Sequence, residues 1–193
     1  MTKSFSKKNS DDKKGFTLLE TLVAILLLSV SIAAAATIAQ KALQAAEYSR
    51  DETVAYYLAA EGLELTQNIR DNNFFAYPQG QWLTGLAPGL DQGNSDPCNA
   101  NYGNACDIDA VDENIMPCIS TGNVCPLYID TNGQYSHDGS SGSPTAFSRS
   151  VTIKPISVNG SPDEAEVTAV VVWKTGSFST RTIKLQEMIF DWY

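Results

Sequence analysis

The spacing of hydrophobic and polar positions changes three times along this chain. Residues 1–15, MTKSFSKKNSDDKKG, are polar and have no period. From Phe16 the sequence FTLLETLVAILLLSVSIAAAATIA is apolar through Ala39, apart from hydroxyl residues and one charge, Glu20. Leu22 to Ala39 alone is 18 residues, or about 27 Å of helix, close to the thickness of bilayer hydrocarbon. The pattern then turns amphipathic instead of stopping. Ala42, Ala46, Val54, Tyr57, Leu58, Leu65 and Ile69 recur mostly at three- and four-residue spacing, as one face of a helix requires. No proline occurs before Pro78, and Gly62 is the only glycine between Phe16 and that proline. The spacing predicts one helix over residues 16–70, about 80 Å long. Its segment 16–39 would span a membrane, and its second half would cover a globular head.

Residues 71–125 are rich in Gly, Pro, Asn, Asp and Ser and hold no sustained period, which predicts irregular surface chain. Phe74, Phe75, Tyr77 and Trp82 are expected to fold back as an aromatic cluster. Beyond Cys125, PLYIDTNGQYS reads as a hairpin around Asn132-Gly133, a type I′ dipeptide. SSGSPT (140–145) reads as a linker. Three runs follow, Phe147 to Ser157, Ala165 to Lys174 and Ser179 to Trp192, all rich in Val, Ile, Thr and aromatics. The first and third alternate, while EVTAVVVWK is nearly continuous and therefore central. The turns NGSPDE (159–164) and TGS (175–177) make an antiparallel meander over residues 126–193. Its apolar face needs cover, and the only long amphipathic element available is the helix around residues 45–70. The fold class is thus α+β, a long N-terminal α-helix packed on a C-terminal antiparallel β-sheet.

Charge sharpens the division. Residues 1–15 hold five Lys against two Asp, net +3, whereas residues 16–193 hold eight Lys plus Arg against twenty Asp plus Glu, net −12. So acidic a body has no general attraction for phosphate backbones, which argues against general nucleic-acid binding. Lysines before the apolar run hold that end in the cytoplasm and place the remainder outside it. A single His excludes His-based metal clusters. No Gly-rich phosphate loop, G-x-S-x-G elbow or nucleophile with a nearby His is present, so neither an enzyme nor a cofactor is expected.

Cys98, Cys106, Cys118 and Cys125 are spaced C-x7-C-x11-C-x6-C. Without a C-x2-C pair they do not suit a zinc ribbon, and outside the cytoplasm they suit two disulfides. Three connectivities are open; the low entropic cost of short loops favours Cys98–Cys106 with Cys118–Cys125. Acids gather at Asp107, Asp109, Asp112 and Glu113, then at Asp130 and Asp138. Asp107, Asp109, Asp112, Asp130 and Asp138 are weak calcium candidates, because the closing Glu of a twelve-residue calcium loop is missing. A solvated acidic face is the stronger reading. His137 stands in a Gly/Ser-rich loop and is expected to be exposed.

A basic leader before an apolar run fits three schemes. They are a secretory signal cut among Ala33 to Ala36, a plain signal anchor, or a class III signal cut between Gly15 and Phe16. Glu20 discriminates among them. A carboxylate in an anchor costs about 2.5–3.5 kcal/mol on insertion scales, and the first two schemes have no use for it. In the third, Glu20 is the fifth mature residue, four after a new α-amino group, and can pair with the positive N-terminus of a neighbouring subunit.

KKGFTLLETLVAILL accordingly resembles the prepilin signal of type IV pilins and type II secretion pseudopilins, over residues 13–38. The resemblance implies cleavage after Gly15 by a prepilin peptidase, N-methylation of Phe16, and a filament core built from residues 16–39. It also implies filament assembly through Phe16 and Glu20, with other pilin or pseudopilin subunits and an inner-membrane assembly platform as partners and membrane lipid around the helix beforehand. Residues 1–15 would be the removed leader, and the pilin-like head would lie outside the cytoplasm, at the cell surface or in the periplasm. Many major pilins carry a helix-breaking Pro about twenty residues into the mature chain, where this sequence has Thr37. Major pilins also tend to place their disulfide loop near the C-terminus, whereas these cysteines precede the last strands. A minor pilin is therefore favoured, with a type II secretion pseudopilin or a membrane-anchored extracytoplasmic binding protein as alternatives.

Overall fold

The computed structural model describes residues 15–77, 81–87, 96–111, 114–118, 125–137, 139–140, 142–158, 161–175 and 179–191. Among the described residues its elements are one helix, α1 (Leu18–Ala76), a short 3-10 turn (Ala100–Tyr102) and seven strands. The strands are β1 (Cys106–Ile108), β2 (Ile115–Pro117), β3 (Cys125–Ile129), β4 (Tyr135–Ser136), β5 (Ser143–Val158), β6 (Ser161–Thr175) and β7 (Ser179–Phe190). Two compact units divide the chain, residues 1–47 and 48–193.

The second unit is a helix laid on an antiparallel sheet. β5, β6 and β7 form the expected meander, with Ile153 opposite Val167 and Val171 opposite Ile183. β6 is central, as its continuous apolar run predicts. On its other edge β5 is shared by two short strands, β1 through Cys106 opposite Val151 and β3 from Arg149 to Ser143. Phe147, Val151 and Ile153 of β5 and Ala165, Val167, Ala169, Val171 and Trp173 of β6 are buried on one face. Against them lie Ala55, Leu58, Ala59, Gly62, Leu63 and Thr66 of α1. These stand at helical spacing, and the stripe consists largely of small residues, with Val54, Leu65 and Ile69 partly buried beside it. Tyr57 accordingly lies off it, 68% exposed. Small residues let the helix backbone approach the sheet. A Cβ on Gly62 would sit 3.2 Å from Val151 Cγ2 and 3.4 Å from Arg149 Cδ.

Several expected boundaries move, each for a tertiary reason. The helix ends at Ala76 rather than at Arg70. Asn73, within the polar DNN run, is buried there, and its Nδ2 donates to the carbonyls of Trp82 at 3.0 Å and Thr84 at 2.8 Å. Within the expected aromatic cluster only Trp82 enters the core; Phe74 and Phe75 meet edge-to-face at 5.4 Å on the exposed side, and Tyr77 is exposed. The stretch 71–125 is not wholly irregular, because β1 and β2 extend the sheet; three residues apiece are too few to show a period. Ser143 and Pro144, read as linker, begin β5 because they pair with Ile129 and Tyr128. The hairpin between β3 and β4 is wider than a two-residue turn. Pairing closes at Ile129 opposite Tyr135, and the Asp130 carboxylate accepts from the backbone N–H groups of Asn132 and Gln134, both at 2.8 Å. Such an Asx arrangement competes with the tighter turn.

Candidate functional site

In the first unit, Gly15, Phe16 and Thr17 are non-helical and exposed, with Phe16 76% accessible. The Gly15–Phe16 bond thus lies in open chain two residues ahead of α1, and nothing stands within 4 Å of a Cβ placed on Gly15. Thr17 caps the helix: its Oγ1 accepts from the Glu20 N–H at 3.3 Å and its carbonyl from the Thr21 N–H at 3.2 Å. Thr17 with Glu20 three residues on has the spacing of a capping box, and a carboxylate in the first turn is favoured by the helix dipole. The T-x-x-E spacing carries this cap in the sequence.

The hydroxyls inside the apolar run do not disturb it. Thr21, Ser29, Ser31 and Thr37 each donate to a carbonyl three or four residues earlier, at 2.7–2.9 Å. No hydroxyl donor is thereby left to face hydrocarbon. Leu22, Ile25, Leu26, Leu27, Leu28 and Ile32 are all exposed within this unit. Among the described residues α1 is the one helix long and apolar enough to cross a membrane. So large an apolar surface requires lipid or other helices around it.

The head carries a buried charge network. Arg149 lies on the same inward face of β5 as Val151 and Ile153, yet is fully buried. Its Nε donates to Asp107 Oδ1 at 2.6 Å, Nη2 to the Ile108 carbonyl at 2.7 Å, and Nη1 to the Leu58 carbonyl at 3.1 Å and to Glu61. Burial works against the Arg149 charge, but Asp107 and Glu61 hold the guanidinium above its ordinary value. Burial pushes the Asp107 carboxyl up, against the downward pull of Arg149 and His137. The His137 ring contacts Asp107 through Nε2 and faces the Pro126 carbonyl through Nδ1 at 3.1 Å. Its side chain is 5% exposed, which corrects the expectation of a solvent-facing imidazole. The loop folds inward because Asp109 Oδ2 accepts from the His137 N–H and the Ser136 hydroxyl, both at 2.8 Å. Arg149 was the missed residue; its signal was a lone charge at an inward position of an alternating strand.

Three of the five calcium candidates are thus occupied by the protein itself. Asp107 serves Arg149 and His137, Asp109 caps a loop, and Asp130 organises a turn. Asp112 and Asp138 lie outside the described residues. Among the described residues no group of three His, Cys, Asp or Glu could hold a metal ion. The sulfurs pair Cys98 with Cys106 and Cys118 with Cys125. The first pair belongs to the main core, and the second packs with Ala105.

Asp109 makes acid stability testable. Partial burial raises its carboxyl, but the N–H groups of His137 and Val111 and the Ser136 hydroxyl outweigh this and hold it below its ordinary value of 3.8. A lowered folded value contributes stability that is present above 3.8 and lost as pH falls through the folded value. The stability difference between the natural chain and Asp109→Asn should therefore shrink below pH 3.8. Urea unfolding at neutral pH and near pH 3 reads it, and a difference independent of pH would refute it.

The prokaryotic N-terminal methylation motif matches residues 11–36. This chain bears a class III signal. That motif supports a precursor of the type IV pilin or pseudopilin type, and it implies processing by a prepilin peptidase and assembly with other pilins. Together with α1 it points to a single-pass membrane-anchored protein, and the helix on an antiparallel sheet is a pilin-like architecture. No curated protein matches the chain, and neither does any solved structure.

Proposed function

We propose that this protein is a structural minor subunit of a type IV pilus-like filament. The observation that carries the proposal is the coincidence of the methylation motif with an open Gly15–Phe16 bond and a helix capped immediately after it. A prepilin peptidase removes residues 1–15 and the new α-amino group of Phe16 is methylated. The processed helix waits in the cytoplasmic membrane, with the head outside the cytoplasm, until an assembly platform moves it into a filament. Glu20 then pairs with the amino terminus of Phe16 in an adjacent subunit and sets axial register. Two short cysteine loops ahead of the final strands support a minor rather than a major subunit. The proposal assigns the chain no catalysis and no cofactor.

Intact mass with N-terminal analysis of protein from native membranes tests the pathway. The expected chain begins at N-methylated Phe16, and replacing Gly15 by a bulky residue should leave the mass of residues 1–15 attached. A start after Ala34, Ala35 or Ala36 would mean an ordinary secreted protein. Co-purification with secretion components in place of pilus subunits would assign the chain to a type II secretion pseudopilus.

A further inference from the structure

His137, the one histidine of the chain, has a hydrogen-bond acceptor at each ring nitrogen. Nδ1 faces the Pro126 carbonyl of β3 at 3.1 Å, and Nε2 meets Asp107 Oδ2 of β1. A carbonyl and a carboxylate can only accept, whereas a neutral imidazole has one N–H to give. With the ring neutral and the carboxyl ionised, one of the two contacts would set lone pair against lone pair. Both form only if the pair carries one further proton, as imidazolium beside carboxylate or as neutral ring beside carboxylic acid. Water cannot readily mend the mismatch, because the two side chains are 5% and 0% exposed. The surrounding charges favour the proton as well. Asp107, Asp109 just beyond β1, and Glu61 of α1 stand against the single guanidinium of Arg149 on β5. The extra proton lowers that negative excess.

We propose that Asp107 and His137 share one proton that latches the end of β4 onto β1 and β3, and that its release at alkaline pH opens the latch. The proton belongs to the pair rather than to either residue. Burial, which holds the Asp107 carboxyl above its ordinary value, acts in the same sense. The latch reaches past its own contact. Asp109 Oδ2 accepts from the His137 N–H and the Ser136 hydroxyl, and Gly139 lies so close to Tyr128 of β3 that a Cβ would stand 3.0 Å from Cζ. Asp109, held below its ordinary value, stays ionised near neutrality, so the proton of the pair is the part that changes there. In an unfolded chain a histidine gives up its proton near pH ~6.5. A folded pair that keeps it longer contributes stability that is full below that value and is lost as pH rises through the folded value of the pair.

The test compares the full chain with His137→Gln in a maltoside detergent, by urea unfolding from about pH 6 to about pH 9, a range that brackets the ordinary histidine value. The natural chain is expected to be the more stable at the acid end. Its advantage in folding equilibrium constant should shrink by up to about tenfold per pH unit above about pH 6.5. An advantage that stays constant, or grows with pH, overturns the proposal. Should the variant fail to fold, uniform ¹⁵N labelling reads the natural chain alone, with a single imidazole to observe. Its ring signals are expected to titrate above about pH 6.5, in step with the backbone signals of Ser136 and Gly139. A ring midpoint at or below that value would show that no proton is held. A titrating ring beside unmoved Ser136 and Gly139 signals would show that the proton latches nothing, and either result sinks the idea.

Discussion

Replacing Arg149 by methionine is expected to destabilise the head by about 3–5 kcal/mol, the range for removing one partner of a buried ion pair. The volume changes little, so the cost is electrostatic. Asp107 would remain fully buried with, among the described residues, only the His137 ring and the Ile108 N–H for support. The carbonyls of Leu58 and Ile108 would lose their donor as well. Because Arg149 also reaches Glu61, the variant uncouples α1 from β1 and β5 together. Urea unfolding followed by tryptophan fluorescence measures the loss. Arg149→Met combined with Asp107→Leu should recover most of it, since exchanging a whole buried pair for apolar groups is often neutral or stabilising. A single variant within about 1 kcal/mol of the natural chain, the size of a surface effect, would show that the network contributes little.

That network marks the limit of what the sequence discloses. The apolar helix, the meander of β5 to β7 and the central place of β6 follow from periods of 3.6 and 2 sustained over many residues. Glu20 was legible because a carboxylate in an apolar run has few explanations. The inward turn of His137 has no local signal, since it depends on Asp109, just beyond β1, capping the loop. β1 and β2 have no signal either, because three residues cannot display an alternation and their stability comes from pairing with β5. The helix beyond Arg70 was hidden by polar residues whose partner, the turn at 81–87, is distant from their own turn of helix. Long-range hydrogen bonds determine all of these, and composition points the other way in each.

Glu20→Ala is expected to leave membrane insertion and removal of residues 1–15 intact while reducing filament incorporation more than about tenfold, the effect of losing some 1.4 kcal/mol of subunit pairing. Two roles of the residue must be separated. As the third residue of a helix capped by Thr17, Glu20 has the capping-box position, and a carboxylate there contributes about 0.3–1 kcal/mol locally, whereas the Thr17 cap itself bonds the Glu20 backbone N–H and survives the substitution. As the partner of a neighbouring amino terminus it contributes only in the filament, where a low dielectric strengthens the attraction. Glu20→Gln distinguishes them, because glutamine suits the same position of a capping box but carries no charge. If incorporation, read by immunoblot of sheared filaments, falls as far with Gln as with Ala, the charge sets the register. If Gln restores it, the cap is what assembly requires, and the proposed pairing with Phe16 fails. Normal incorporation of both variants would remove Glu20 from assembly altogether, leaving its carboxylate in the apolar segment as a cost that only the helix dipole offsets.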